Sequence, residues 1–136
     1  MNTTSTHEDP EVKDTMSGVL SQLKVQRMRI KESRIDGEIA LRRLLPVAMG
    51  NSGQSRRVAC LLLGCYNGTR FPFDLTNLRS LDYALIEDCL AVLRMDANCY
   101  QEVHTYFENG GQIFEQLACD WNLEKLGGAA WSGHLV

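Results

Sequence analysis

The sequence lacks any long apolar run. A helix that spans a membrane needs about 18 or more consecutive apolar residues, and none of the 136 residues lies in such a window. The segment before Asp9 has neither a Lys/Arg cluster nor an apolar stretch, and a secretory signal peptide needs both. We therefore expect a cytoplasmic protein without a membrane segment.

Strand patterns are missing as well. No segment alternates apolar and polar residues for long enough to indicate a half-buried strand. Apolar residues make up 44% of the chain, which is enough for a core, and charged residues make up 23%. That composition excludes a fully disordered chain and a collagen. The sequence predicts an all-α fold, a compact bundle of about five to six helices with a long N-terminal helix.

Catalytic and metal-binding motifs are not found. The chain contains no phosphate loop, no G-x-G-x-x-G and no H-E-x-x-H. Cys60 and Cys65 are five residues apart, as are Cys99 and His104, and neither pair has a usual zinc spacing. On a helix, Cys99 and His104 would point about 140° apart, too far for a nucleophile and its base. We expect free thiols, no metal, no cofactor and no enzymatic activity.

Four regions are predicted along the chain. Residues 1–8 are a disordered arm and residues 127–136 a loose tail. Between them, residues 9–126 form a single helical domain, in which residues 9–35 are the long helix and residues 36–126 the helical body. Asp9-Pro10-Glu11 has the composition of a helix start.

The long helix carries two stripes. Its apolar stripe, here called the seam, has alternating spacings of four and three residues and consists of Val12, Met16, Val19, Leu23, Gln26 and Ile30. A basic stripe lies beside it and consists of Lys24, Arg27, Lys31 and Arg34. The seam must be buried, because an isolated helix of this length is marginal in water. Burial on the body, giving a monomer, is favoured over a homodimer, since fewer than three heptads are present and Gly18 weakens the helix.

Further helices are predicted in the body. Ser33 or Asp36 is expected to cap a second helix, whose last turn Pro46 kinks or detaches. The third helix runs from about Gln54 to Tyr66 and is apolar almost all round at residues 58–63, which is typical of a central buried helix. Later elements are a single turn capped by Asp74, a helix from Asp82, an ambiguous segment at residues 97–107 and a last helix after Gly110-Gly111.

Residues 38–66 resemble a helix-turn-helix DNA reader. A helix, a glycine-containing turn and a second helix follow one another, and the second helix begins with residue types that contact bases and phosphates: Gln54, Ser55, Arg56 and Arg57. Two features argue against this interpretation. Pro46 disturbs the first helix, and the apolar continuation of the second leaves little exposed flank for a DNA groove.

Charge is distributed unevenly. Residues 1–70 carry 11 Lys/Arg and 7 Asp/Glu, whereas residues 71–136 carry 3 Lys/Arg and 10 Asp/Glu. The acids of the second half form a candidate partner-binding surface, here called the acidic face: Glu87, Asp88, Asp96, Glu102, Glu108, Glu115 and Asp120. Such a surface can occupy a nucleic-acid groove on another protein, although scattered solubilising charges would look the same in sequence.

Two sequence blocks resemble a known family. Gly53-Gln54-Ser55-Arg56-Arg57-Val58-Ala59 and Phe73-Asp74-Leu75-Thr76-Asn77-Leu78, with Leu62-Leu63, Asn67 and Asp82, are similar to a small proteobacterial domain family of unknown function that is associated with plasmids, phages and integrative elements. The resemblance spans about residues 39–123. It implies a helical protein of mobile DNA in the bacterial cytoplasm, and it implies no particular activity.

Two functional hypotheses follow. The first is a small non-enzymatic interaction protein, specifically an anti-CRISPR-like inhibitor of host defence machinery that binds a host protein or protein–nucleic-acid complex through a charged surface. The alternative is a DNA-binding transcriptional regulator that uses residues 38–66. Direct nucleic-acid binding is less favoured, because the net charge of the chain is −3.

Overall fold

The structure is a computed structural model that describes residues 10–123. It contains α1 (Pro10–Ala48), α2 (Gly53–Tyr66), α3 (Tyr83–Ala97) and α4 (Gly110–Asp120). Two 3-10 turns, Leu75–Ser80 and Val103–Tyr106, lie on either side of α3 in the chain, and residues 10–123 include no strand. The predicted all-α fold with a long N-terminal helix is confirmed. The predicted arm, the Asp9 cap and the predicted tail lie outside the described residues.

The first helix is longer than predicted. α1 continues without a break past Ser33 and Asp36, so the prediction that either residue caps a separate second helix is wrong. A capping residue starts a helix only where its own backbone is not helical. Residues 30–36 contain no glycine or proline that would break the helix there. Pro46 lies inside α1, two residues before its end, where a missing backbone donor affects only the final turn.

The chain divides into two units, residues 1–32 and residues 33–136. In the first unit, residues 12–29 are all exposed and Ile30 is half-buried. The burial that the spacing predicts for the seam is therefore not found. The off-seam side chains Leu20, Val25 and Met28 are also between 48% and 60% exposed.

The core belongs to the second unit. Five residues of α2, Val58, Ala59 and Leu61–Leu63, are at most 2% exposed, so the prediction of a central buried helix is confirmed. α2 packs against α3 and α4, and Phe114 of α4 is fully buried in the same cluster. The Trp121 indole NH donates to the carbonyl of Ala48 at 3.0 Å, which ties the end of α4 to the end of α1.

Side-chain caps hold the connecting segments. Asp74 caps the first 3-10 turn, where its Oδ1 accepts from the Thr76 backbone NH at 2.9 Å and from the Thr76 hydroxyl at 2.8 Å. These bonds lower the pKa of Asp74. Asp82 precedes α3 as its N-cap residue, where the sequence predicts a helix start, and its side chain makes no capping hydrogen bond. Both the single turn and the helix start are thus where the sequence places them.

A close backbone approach sets the start of α4. Asn109 has the left-handed φ of 59°, and α4 begins at the next residue. A Cβ on Gly110 would lie 1.7 Å from the carbonyl oxygen of His104, so only glycine fits there. The ambiguous segment 97–107 is the end of α3 and the 3-10 turn Val103–Tyr106. Within residues 10–123, no helix has both the length and the apolar composition that a membrane crossing requires.

Candidate interaction surfaces

Two members of the acidic face are neutralised by arginines. Arg43 donates to both carboxylate oxygens of Asp88, at 3.0 and 2.7 Å. Arg70 donates to both oxygens of Glu115, at 2.7 and 2.9 Å. These bidentate pairs join residues 45 positions apart in the sequence. Asp88 and Glu115 therefore bind other parts of the fold, and the negative potential of the acidic face comes from the other acids.

Glu115 is the centre of a small polar network. Its Oε2 also accepts from the Tyr66 hydroxyl at 2.5 Å. The hydrogen bonds from Arg70 and Tyr66 favour the ionised carboxylate and lower the pKa of Glu115 to about 2. The same contact raises the pKa of Tyr66, because the neighbouring carboxylate opposes loss of the phenolic proton. Sequence spacing gives no sign of this network, since its members lie on three separate segments.

Asp96 and Glu102 are brought together by the fold. Burial raises the pKa of Asp96, and the nearby charge of Glu102 raises it further. The two acids lie at the end of α3 and just before the 3-10 turn Val103–Tyr106. The remaining members of the acidic face, Glu87, Glu108 and Asp120, are exposed. The Asp120 carboxylate accepts a hydrogen bond from the Gln116 side-chain amide at 2.8 Å. No ion pair holds any of these five acids within residues 10–123.

The basic stripe is mostly exposed. Lys24, Arg27 and Lys31 are exposed, and none of them forms an ion pair with another described residue. Arg34 is half-buried, and its guanidinium lies 4.1 Å from the centre of the Tyr100 ring. This cation–π contact gives Arg34 a role within the second unit.

The segment that resembles a helix-turn-helix, residues 38–66, differs from a DNA reader in two respects. Ser55 is only 4% exposed, and its hydroxyl lies 3.0 Å from that of Ser52, the N-cap residue of α2. The burial of this hydroxyl at the start of α2 argues against a contact between Ser55 and DNA, and the DNA-binding role of the segment stays a prediction. The segment also lacks a separate first helix, since residues 38–48 are the last part of α1.

Gln54 is engaged within the fold as well. Its side-chain oxygen accepts from the Asp82 backbone NH at 2.6 Å, and its amide nitrogen donates to the Asp82 carboxylate at 3.1 Å. The pair ties the start of α2 to the start of α3. Of the four candidate DNA contacts, Arg56 is exposed, and Arg57 is half-buried with a 3.5 Å contact to the Gly53 carbonyl.

A cleft of about 210 Å³ lies where the two sequence blocks meet. Arg56 and Cys60 of α2 line one part of it, and Asp74 and Asn77 line another. The cleft could not be predicted from the sequence, because nothing in either block indicates that the two come together. Burial raises the pKa of Cys60, although Arg56 and Arg57 partly offset that effect.

Cys99 and His104 contact different groups in the fold. The Cys99 thiol contacts the Gln101 carbonyl oxygen at 3.3 Å, whereas the His104 ring packs edge-on against Tyr66 with ring centres 5.0 Å apart. Desolvation raises the pKa of Cys99, and the charge of Glu102 adds to that, so the reactive thiolate is disfavoured. Among residues 10–123, no three His, Cys, Asp or Glu side chains gather as a metal site would require.

Residues 38–122 match the model of a family described as a family of unknown function, DUF7673. The chain belongs to this family. No curated protein and no solved structure matches it. The DUF7673 match covers α2, α3, α4 and every residue that lines the cleft except Leu123, and it begins after the seam. The exposed N-terminal part of α1 is therefore a feature of this chain outside the matched region.

Proposed function

We propose that this protein is a non-enzymatic interaction protein that works by binding another macromolecule through its surface. One observation carries the proposal. Five large apolar side chains on one side of α1, between residues 12 and 23, are each between 42% and 60% exposed. Contiguous exposed apolar surface on a folded protein is typical of a binding site. The five are Val12, Met16, Val19, Leu20 and Leu23.

We further propose that the target is host defence machinery. The protein acts in the bacterial cytoplasm, is carried on a mobile element, and inhibits host defence machinery in the manner of an anti-CRISPR protein. The support is electrostatic. Asp96 and Glu102 lie close enough for their charges to interact, and neither forms an ion pair within residues 10–123. A surface of unpaired acids competes with nucleic acid for a basic groove on a host protein.

A plaque assay tests this function. The protein is expressed in a panel of proteobacterial hosts, each with one active CRISPR system, and targeted phage is plated on them. We expect plaque formation to be restored in at least one host. The double variant Asp96→Asn/Glu102→Gln should lose that effect. Full interference by every host in the panel would contradict the proposal.

A matched control removes the same charge elsewhere. Glu32 and Asp36 are exposed acids of α1. The double variant Glu32→Gln/Asp36→Asn should restore plaques as well as the wild-type protein does. Equal loss of activity in both double variants would show that net charge matters and that the pair Asp96 and Glu102 does not.

DNA-binding regulation is the second candidate. Arg56 favours it, because this arginine is exposed on the first turn of α2 and forms no ion pair with another described residue. A regulator would bind duplex DNA with an affinity that falls steeply as salt rises, and Arg56→Ala would weaken it. The acidic inhibitor should not bind duplex DNA at any salt concentration. Fluorescence anisotropy of a labelled duplex distinguishes the two.

A further inference from the structure

The spacing of the seam residues is the same in both directions along the helix. Its steps are four, three, four, three and four residues. An antiparallel partner helix of the same sequence therefore places Val12 opposite Ile30, Met16 opposite Gln26, and Val19 opposite Leu23. In such a pair the six seam positions of each helix meet six seam positions of the other, which is the condition for a continuous two-helix interface.

Charge along the helix selects the direction. Residues 11–18 contain two acids and one lysine, whereas residues 24–31 contain four Lys/Arg and no acid. A parallel pair sets the two basic segments side by side, where they repel. In the antiparallel register, residues 24–31 of each copy lie beside residues 11–18 of the other, which carry a net negative charge. The helix is thus complementary in charge to itself when reversed.

We infer that residues 12–30 form an antiparallel helix pair with a second copy of this chain. The inference rests on the proposed function, in which this exposed helix is a binding surface, and it names the partner. Val19 and Leu23 are the central layer of the pair and are 48% and 42% exposed in the single chain. Pairing buries them, and this reverses the sequence-based preference for a monomer.

Light scattering on the full chain tests the pair. The wild-type protein should have twice the monomer mass of 15.3 kDa. Val19→Asp should raise the Kd of the dimer by at least about tenfold, because it places a charge in the buried central layer of both copies. A wild-type protein that stays monomeric at all concentrations would overturn the inference.

Val25 provides a matched control. It is on the same helix, is also 48% exposed and lies off the seam. Val25→Asp should leave the Kd of the dimer unchanged, and circular dichroism should show equal helix content in both variants. Equal weakening by Val19→Asp and Val25→Asp would contradict a seam-specific interface.

Cross-linking tests the direction of the pair. The exposed cysteines Cys99 and Cys119 are first replaced by serine. A mixture of Val19→Cys and Leu23→Cys proteins should then form a disulfide between unlike chains on mild oxidation, whereas either protein alone should not. A disulfide between two Leu23→Cys chains would indicate a parallel pair and overturn the antiparallel arrangement.

Failure of the dimer and failure of the proposed function are distinguishable. A monomer that still restores plaques overturns the second copy as the partner and leaves the inhibitor proposal standing. A dimer with the expected variant effects supports the inference even where no host in the plaque assay is affected.

Discussion

The carboxylate of Glu115 illustrates how the fold uses single charges. Sequence alone places it among scattered acids of the second half of the chain, as a candidate for partner binding. In the structure it accepts hydrogen bonds from Arg70 and Tyr66, and its pKa falls to about 2. The charge is predictable from the sequence, but its partners are not, because they lie 45 and 49 positions away.

Replacing Glu115 should make stability depend on pH in a specific way. The pKa of Glu115 is about 2 in the folded protein, below its ordinary 4.5. The ionised form therefore stabilises the fold at neutral pH, and this contribution is lost as pH falls from 4.5 towards 2. Glu115→Gln should lower the free energy of unfolding at pH 7 by about 1 kcal/mol or less, because water still screens this partly exposed pair.

Urea denaturation at several pH values measures this effect. The difference between wild type and Glu115→Gln should shrink as the pH is lowered. Glu108→Gln is the control, since Glu108 is exposed and forms no ion pair within the described chain. A stability difference for Glu115→Gln that stays constant down to pH 2 would show that the loss comes from packing and not from charge.

At the scale of the helices, the spacing of apolar residues predicts where most helices lie but not where α1 ends. α2 buries the apolar stretch that the sequence marks clearly, and α3 and α4 lie where helices are predicted. α1 differs, since Ser33 and Asp36 are compatible with both a helix cap and a helix interior. Local composition does not distinguish these cases, whereas packing around Ala40, Leu41 and Leu44 does.

Substitution by alanine should have opposite effects on stability at the two glycines of α1, Gly18 and Gly37. A Cβ on Gly37 would lie 2.3 Å from the Met95 Cβ and 3.0 Å from the Ala91 carbonyl oxygen. Gly37→Ala should therefore destabilise the body by about 1–3 kcal/mol, because α3 must move away. A Cβ on Gly18 meets nothing within 4 Å. Gly18→Ala should raise helix stability by up to about 1 kcal/mol.

Thermal unfolding followed by circular dichroism measures both variants. The melting temperature of Gly37→Ala should fall, and that of Gly18→Ala should stay the same or rise. A Gly37→Ala protein as stable as wild type would contradict the close approach of α1 and α3 at this position.

At the scale of the whole molecule, the chain combines a body with its own core and an N-terminal helix with exposed apolar residues. Among the described residues, all buried hydrophobic side chains lie between Ala40 and Leu123. The family match begins at residue 38. The sequence predicts the seam correctly as a stripe, yet its burial could not be predicted, because spacing specifies a surface and not the partner that covers it. The acidic face has the same limit, since only the fold brings Asp96 and Glu102 together.

The most direct test compares the full chain with residues 33–136 alone, each measured by light scattering and by thermal unfolding. The shortened protein keeps the core and loses the seam. We predict a dimeric full chain and a shortened protein that is monomeric and still unfolds cooperatively. A monomeric full chain together with an unfolded shortened protein would contradict this account, because the helix would then stabilise the body and not bind a partner.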